Sequence, residues 1–175
     1  MRRHTLPFVL SCALALAARP AAAQSGDVDL RPPRPRYAVA LVGGIAEYEL
    51  AGTSTTTLVG TRVEAELRPW LVIEGALGYH RSGGDVTRSS RLTIPEVQMQ
   101  LQLPEGPVRP YVGFGAGYAF GQGQDSEGTR SGAIGVRVPL PSTRVDLRGE
   151  LRVRGVGSTS GTSSREWTVG AGYRF

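Results

Sequence analysis

Residues 59–68 read Val59-Gly-Thr-Arg-Val-Glu-Ala-Glu-Leu-Arg68. The odd positions, Val59, Thr61, Val63, Ala65 and Leu67, are apolar or small, and the even positions, Gly60, Arg62, Glu64, Glu66 and Arg68, hold every charge. Successive side chains of a strand point to opposite faces, so this segment has one oily face and one charged face. At the 3.6-residue period of a helix the same charges would ring the axis.

The period of two recurs on both sides. Upstream, Tyr37 to Leu50 is apolar on both parities, which leaves its faces open. Downstream, Leu71, Ile73, Leu77 and Tyr79 alternate with Glu74, Ala76, Gly78 and His80, and Val97, Met99, Leu101 and Leu103 alternate with Glu96, Gln98, Gln100 and Gln102. Leu92 and Ile94 break that parity before Pro95, which predicts a bulge or a strand start there. A fifth segment sets Val112, Phe114, Ala116, Tyr118 and Phe120 against Gly113, Gly115, Gly117 and Ala119, and a sixth sets Ile134, Val136 and Val138 against Ala133, Gly135 and Arg137. The seventh opposes Val145, Leu147, Leu151 and Val153 to Asp146, Arg148, Glu150, Arg152 and Arg154. In the last, Trp167, Val169, Ala171, Tyr173 and Phe175 alternate with Glu166, Thr168, Gly170, Gly172 and Arg174. The expectation is an all-β fold of eight antiparallel strands spanning residues 37–175.

The connections alternate between Gly/Ser/Thr-rich loops (51–57, 81–90, 121–129, 157–164) and Pro-bearing turns (68–70, 104–110, 139–143). An up-and-down barrel puts the first kind at one end and the second at the other, as in membrane barrels with long outer loops and short periplasmic turns. Side-chain sizes on the polar face point the same way. In a ring of eight, bulky strand two faces small strand six, Gln-rich strand four faces Gly-rich strand eight, and strand seven faces Ala76 and Gly78 of strand three. Matching large against small fills a narrow interior, and water-facing positions would not need it. The polar face is therefore expected inside and the apolar face in lipid.

Arg2 and Arg3 precede an apolar run over residues 6–18 and the small residues Ala21, Ala22 and Ala23, a secretory signal expected to be cleaved after residue 23. The run is too short to cross a bilayer as a helix. A Pro- and Arg-rich extended tether, 24–36, follows. All 20 basic residues are arginine; removing Arg2, Arg3 and Arg19 leaves 17 against 15 acids. A balance that close to neutral argues against nucleic acid as a partner. The only cysteine, Cys12, lies in the signal, so disulfides and thiolate chemistry are not expected.

Arg109 to Phe120, RPYVGFGAGYAF, and the ending WTVGAGYRF resemble the OmpA/OmpX-type outer-membrane β-barrel superfamily of Gram-negative bacteria. The resemblance implies an eight-stranded up-and-down transmembrane barrel in outer-membrane lipid, with both termini in the periplasm. It also implies that the barrel-assembly machinery reads the terminal strand ending in Phe175. A monomer is expected. No peptidoglycan-binding domain like that of OmpA follows, so a cell-wall anchor is not expected. Two aromatic belts are expected, Tyr48, Tyr79, Tyr118, Phe120 and Trp167 at the loop ends and Tyr37, Trp70, Tyr111, Tyr173 and Phe175 at the turn ends.

Candidate chemistry concentrates in the inward charges: Arg62, Glu64, Glu66, Arg68, Glu74, Glu96, Arg137, Asp146, Arg148, Glu150, Arg152, Arg154 and Glu166. An eight-stranded lumen has room only for side chains, so these are expected to form a mutually paired plug and not an ion path. His80-Arg81-Ser82 is similar to the His-x-Ser of outer-membrane lipid A deacylases, with His80 as base and Ser82 as nucleophile. It lies in the third strand, however, and an inward His80 would turn the pair away from lipid. A metal site has only His4 and His80 to draw on, and the glycine run 113–117 is strand, not a nucleotide loop, so neither metal nor cofactor is expected. The expected role is non-enzymatic, in envelope structure or in surface interaction through the outer loops; a deacylase or a narrow channel is the alternative.

Overall fold

The computed structural model describes residues 35–48, 54–82, 91–121, 126–157 and 163–175. The expected signal and all of the tether before Pro35 lie outside them. Eight strands follow in order: β1 (Arg36–Tyr48), β2 (Ser54–Arg68), β3 (Leu71–Ser82), β4 (Arg91–Gln102), β5 (Arg109–Gly121), β6 (Glu127–Pro139), β7 (Val145–Val156) and β8 (Ser163–Arg174). Each pairs antiparallel with its sequence neighbour, and β8 returns to β1 along Ala38↔Arg174 to Tyr48↔Ser164, closing the barrel. Closure leaves no strand edge, the condition for placing a sheet in hydrocarbon, where an unpaired N–H or C=O costs several kcal/mol.

Burial is inverted relative to a protein that folds in water. Val169 is 70% exposed and Leu41 65%, whereas Arg152 is 2% exposed and Glu74 0%. Large apolar residues cover the outer wall and charges fill the inside, an arrangement that only an apolar solvent stabilises. The faces of β1, open in the sequence, are fixed by this closure. Ala38, Ala40, Val42 and Ala46 turn inward, and Val39, Leu41 and Ile45 outward. The β1–β8 seam is tight: a Cβ on Gly44 would lie 1.8 Å from the Trp167 carbonyl oxygen and one on Gly170 2.3 Å from that of Leu41. Only glycine allows the two backbones to approach this closely.

Three expectations need correction. No bulge or parity slip occurs at Leu92 and Ile94. β4 starts at Arg91 and keeps one register against β3 from Arg91↔Arg81 to Leu101↔Leu71; its ladder with β5 is interrupted only at Ile94 and Pro95, with the register unchanged on either side, and Ile94 is an inward apolar residue, 1% exposed. At this level the interior is partly apolar, with Val42, Leu58 and Ile94 all buried together, so an apolar side chain finds apolar neighbours there. The register shift falls instead between Glu66 and Arg68, ahead of the two-residue Pro69-Trp70 turn. The connections differ less in length than in composition: 49–53, 83–90, 122–126 and 157–162 lie at one end, and 69–70, 103–108 and 140–144 at the other.

The aromatic belts also lose two members. Tyr37, Trp70, Tyr79, Tyr118, Phe120, Trp167, Tyr173 and Phe175 are exposed outside, but Tyr111 is buried and Tyr48 is half-buried, both inside the barrel. Their even or odd place in the strand overrides their nearness to its end. Tyr111 has the parity of Gly113 and Gly115, and Tyr48 that of Ala46.

If the outer wall meets lipid, Val169→Arg, at mid-strand in β8, is expected to destabilise the barrel by about 2–4 kcal/mol. Denaturant titration of refolding into phosphatidylcholine vesicles measures this. Stability unchanged from the wild type would show that this stripe does not face hydrocarbon.

Candidate functional site: a charge-filled interior

The interior is organised around β7, whose inward positions Asp146, Arg148, Glu150, Arg152 and Arg154 are all charged and all buried. They form a column from the turn end to the loop end, and partners from four other strands meet it level by level. At the bottom Asp146 pairs with Arg174 of β8 at 3.4 Å. One level up, Arg148 ion-pairs with Glu64 of β2, with Glu74 of β3 at 2.8 Å and with Glu150 at 3.4 Å. Arg152 meets Glu150 at 2.8 Å, Glu74 at 3.5 Å and Glu96 of β4. Near the loop end Arg154 bridges Glu96 and Glu166, each at 3.2 Å.

Glu74 is the hub. Its carboxylate takes Arg62 at 2.6 Å and contacts Arg148 and Arg152, and it accepts a further hydrogen bond from the Gln100 amide at 3.0 Å. Arg62 also reaches Glu150 at 3.1 Å, and Arg137 of β6 closes the ring onto Glu64 at 2.9 Å. Arginine suits this because its planar fork can serve two carboxylates at once. Five buried arginines (Arg62, Arg137, Arg148, Arg152, Arg154) face five buried glutamates (Glu64, Glu74, Glu96, Glu150, Glu166), and Arg174 matches Asp146. The cluster is thus formally neutral, which a site surrounded by hydrocarbon requires.

Two of the expected members stand apart. Glu66 is half-buried and Arg68 exposed. Both lie where β2 bulges out of register at the turn end, lining its mouth with Arg36 and Arg109. In exchange the interior recruits groups that were not expected as part of the network. The Tyr111 hydroxyl donates to Glu150 at 2.7 Å and accepts from Arg148 at 3.1 Å, while the guanidiniums of Arg137 and Arg148 lie 5.2 and 5.8 Å from its ring centre. Gln100 donates to Gln98 at 2.6 Å and accepts from Arg137. The glycines of β5 and β6 make this packing possible. A Cβ at Gly113 would come 2.7 Å from the Gln98 amide, one at Gly115 2.7 Å from Glu96, and one at Gly135 2.4 Å from the Tyr111 ring. Large side chains of β4 thus lean over small residues of adjacent β5, whereas across the ring, where large was expected against small, large meets large: Glu64 of β2 meets Arg137 of β6, and Glu74 of β3 meets Arg148 and Arg152 of β7.

His80 belongs to the same interior. It is 2% exposed, accepts from or donates to the Tyr48 hydroxyl through Nδ1 at 2.8 Å, and stands edge-on to that ring. Its Nε2 has no hydrogen-bond partner and lies among Gly78, Ile94 and Arg154. The Ser82 side chain lies outside the described residues. Among the described residues no group of His, Cys, Asp and Glu is arranged to hold a metal ion.

The model of the outer membrane protein β-barrel domain matches residues 8–175, nearly the whole chain. The chain belongs to this family. Solved barrels agree in fold. Neisserial surface protein A superposes with a TM-score of 0.69 at 14% identity, covering 79% of this chain and 97% of that one. Ail, the attachment invasion locus protein of Yersinia pestis, gives 0.55 at 15%, covering 81% and 99%. OprG of Pseudomonas aeruginosa gives 0.56 at 13%, covering 81% and 97%. At such identities the likeness is one of fold alone. No curated protein sequence matches significantly. Membership nevertheless makes this an outer-membrane β-barrel whose strands cross the bilayer.

Removing the hub carboxylate of this outer-membrane barrel with Glu74→Ala leaves Arg62, Arg148 and Arg152 short of a counter-charge and is expected to cost about 3–5 kcal/mol. Arg68→Ala, at the wet turn end, should stay within about 0.5 kcal/mol. Urea unfolding in detergent micelles, followed by tryptophan fluorescence, compares the two. Equal effects would mean that the buried pairing does not hold the barrel together.

Proposed function

We propose that this protein is a monomeric, non-enzymatic outer-membrane barrel with a plugged interior, whose role is carried by its outer loops in envelope structure or surface interaction. The observation that carries this reading is the neutral, side-chain-filled column along β7. A lumen crossed at four levels by arginine–carboxylate contacts leaves little room for a solute, and the buried charges are spent on one another. The candidate base His80 faces this interior and has its Nδ1 engaged by Tyr48, so a lipid approaching from outside would not reach it. The Gly/Ser/Thr-rich connections at the loop end remain as the surface free to engage a partner. Two proteins of similar fold, a neisserial surface protein and an attachment invasion locus protein, support a role at the cell surface.

The same reading assigns residues 1–23 to a cleaved signal and 24–36 to a periplasmic tether, puts both termini in the periplasm, and gives the terminal strand to Phe175 to the barrel-assembly machinery for recognition. The test is reconstitution into planar bilayers after folding has been verified by heat-modifiable gel mobility. Folded protein is expected to give no porin-like conductance steps, and shortening loop 83–90 or 158–162 should remove surface interactions while heat-modifiability survives. Clear, regular conductance from wild-type protein would overturn the plug.

A further inference from the structure

Few charged side chains stand on the outer wall of the strands, and register determines what each of them faces. On the β1–β8 side Glu47 lies directly opposite Arg165, so the signs oppose. On the β3–β4 side Arg81 lies directly opposite Arg91, so the signs are alike. Both arginines are exposed, and both share the outward parity of Leu77 and Tyr79 on β3 and of Val97 on β4. Across the other edge of β3 the partner of Arg81 is Thr57, which brings no charge. Among the described residues no carboxylate pairs with either one.

Directly opposed side chains in an antiparallel pair have Cβ atoms roughly 4.5–5.5 Å apart, and like charges there are destabilising. A guanidinium pair in that position is relieved by an anion that both forks can hold, and phosphate oxygens fit that geometry. The chain contains no lysine, so the residue type alone says little; the position carries the weight. The pair sits one step beyond Tyr79 and Thr93 toward the loop end. Outward aromatics mark the level where hydrocarbon gives way to headgroups. The two arginines thus stand on the outer wall just beyond the aromatic level, where headgroup phosphates lie.

We propose that Arg81 and Arg91 form a binding site for the phosphate-bearing headgroup of a lipid in the outer leaflet, clamped between β3 and β4 on the outside of the barrel. This rests on the orientation given under Proposed function, with the loop end outward. It deepens that reading by naming the class of envelope component that the barrel engages.

The test uses the refolded full-length barrel in detergent micelles containing lipid A, a bis-phosphorylated glycolipid, with lipid retention read by native mass spectrometry. Wild-type protein is expected to keep one lipid A per barrel. Arg81→Gln/Arg91→Gln should lower retention tenfold or more, the factor equivalent to one lost charge-assisted hydrogen bond. Arg130→Gln is the control. It removes one outward arginine whose cross-strand neighbours, Ala116 and Gly155, are uncharged, and it should leave retention unchanged. Equal retention in the double variant, or an equal loss in the control, overturns the site. Displacement of lipid A by inorganic phosphate at matching concentration overturns the lipid as its source. Heat-modifiable mobility is measured in parallel: a folded barrel that does not retain lipid A sinks this inference alone, and a chain that never folds in micelles sinks the membrane reading with it.

Discussion

A carboxylate enclosed by a sheet that is itself enclosed by hydrocarbon has no water to turn to, and the structure follows from how that constraint is met. Each buried glutamate must meet arginine within side-chain reach, and each arginine must spend its donors inside the wall. Glu74 shows the solution in its densest form, three guanidiniums and an amide around one carboxyl group. Neutrality of the cluster as a whole matters more than any one pair. Isolated buried ion pairs often fail to repay their desolvation, but a neutral network lets each charge face more than one opposite charge.

The constraint also separates structure from role. Strands two to eight all commit inward polar groups to the network, so that the buried charges of the barrel body are spent largely on one another. The outer wall is apolar over most of its area, so specific contacts are left to the loop end, to the turn-end mouth and to the rare outward charges. His80 is held by Tyr48 and turned into the interior.

Much of this was legible in the sequence because strand parity is a local property. From Val59 onward the alternation separates the two faces in seven strands, and the even count with a terminal aromatic strand points to a closed membrane barrel. β1 was not legible, since Ala, Val, Leu and Gly occupy both of its parities; only pairing with β2 and β8 decides which set turns inward. Tyr111 and Tyr48 were misplaced because closeness to a strand end was weighed above parity. The inward setting of Gly113 and Gly115 on the same strand already carried the correct signal for Tyr111. Glu66 and Arg68 have inward parity but fall where the strand shifts register, and parity cannot report depth. Ile94 breaks the polar pattern of its face without a slip, because Val42 and Leu58 give it apolar neighbours inside.

The outer wall also bears on how register is chosen. Lipid is a uniform solvent, and sliding one strand past its neighbour by two residues would keep every apolar side chain outside at almost no cost. Parity therefore protects against one-residue slips and does nothing against two-residue ones. The inside has to supply that discrimination. A two-residue slip of β7 against its neighbours would move Arg148 to the level of Glu150 and Glu150 to that of Arg152, setting like charges where Glu64, Glu74 and Glu96 now meet arginine. The seam adds a second device, because Gly44 and Gly170 permit close approach only where they face the Trp167 and Leu41 carbonyls. The charged column thus acts as a key cut along one strand, and the barrel closes in the one alignment in which four other strands fit it.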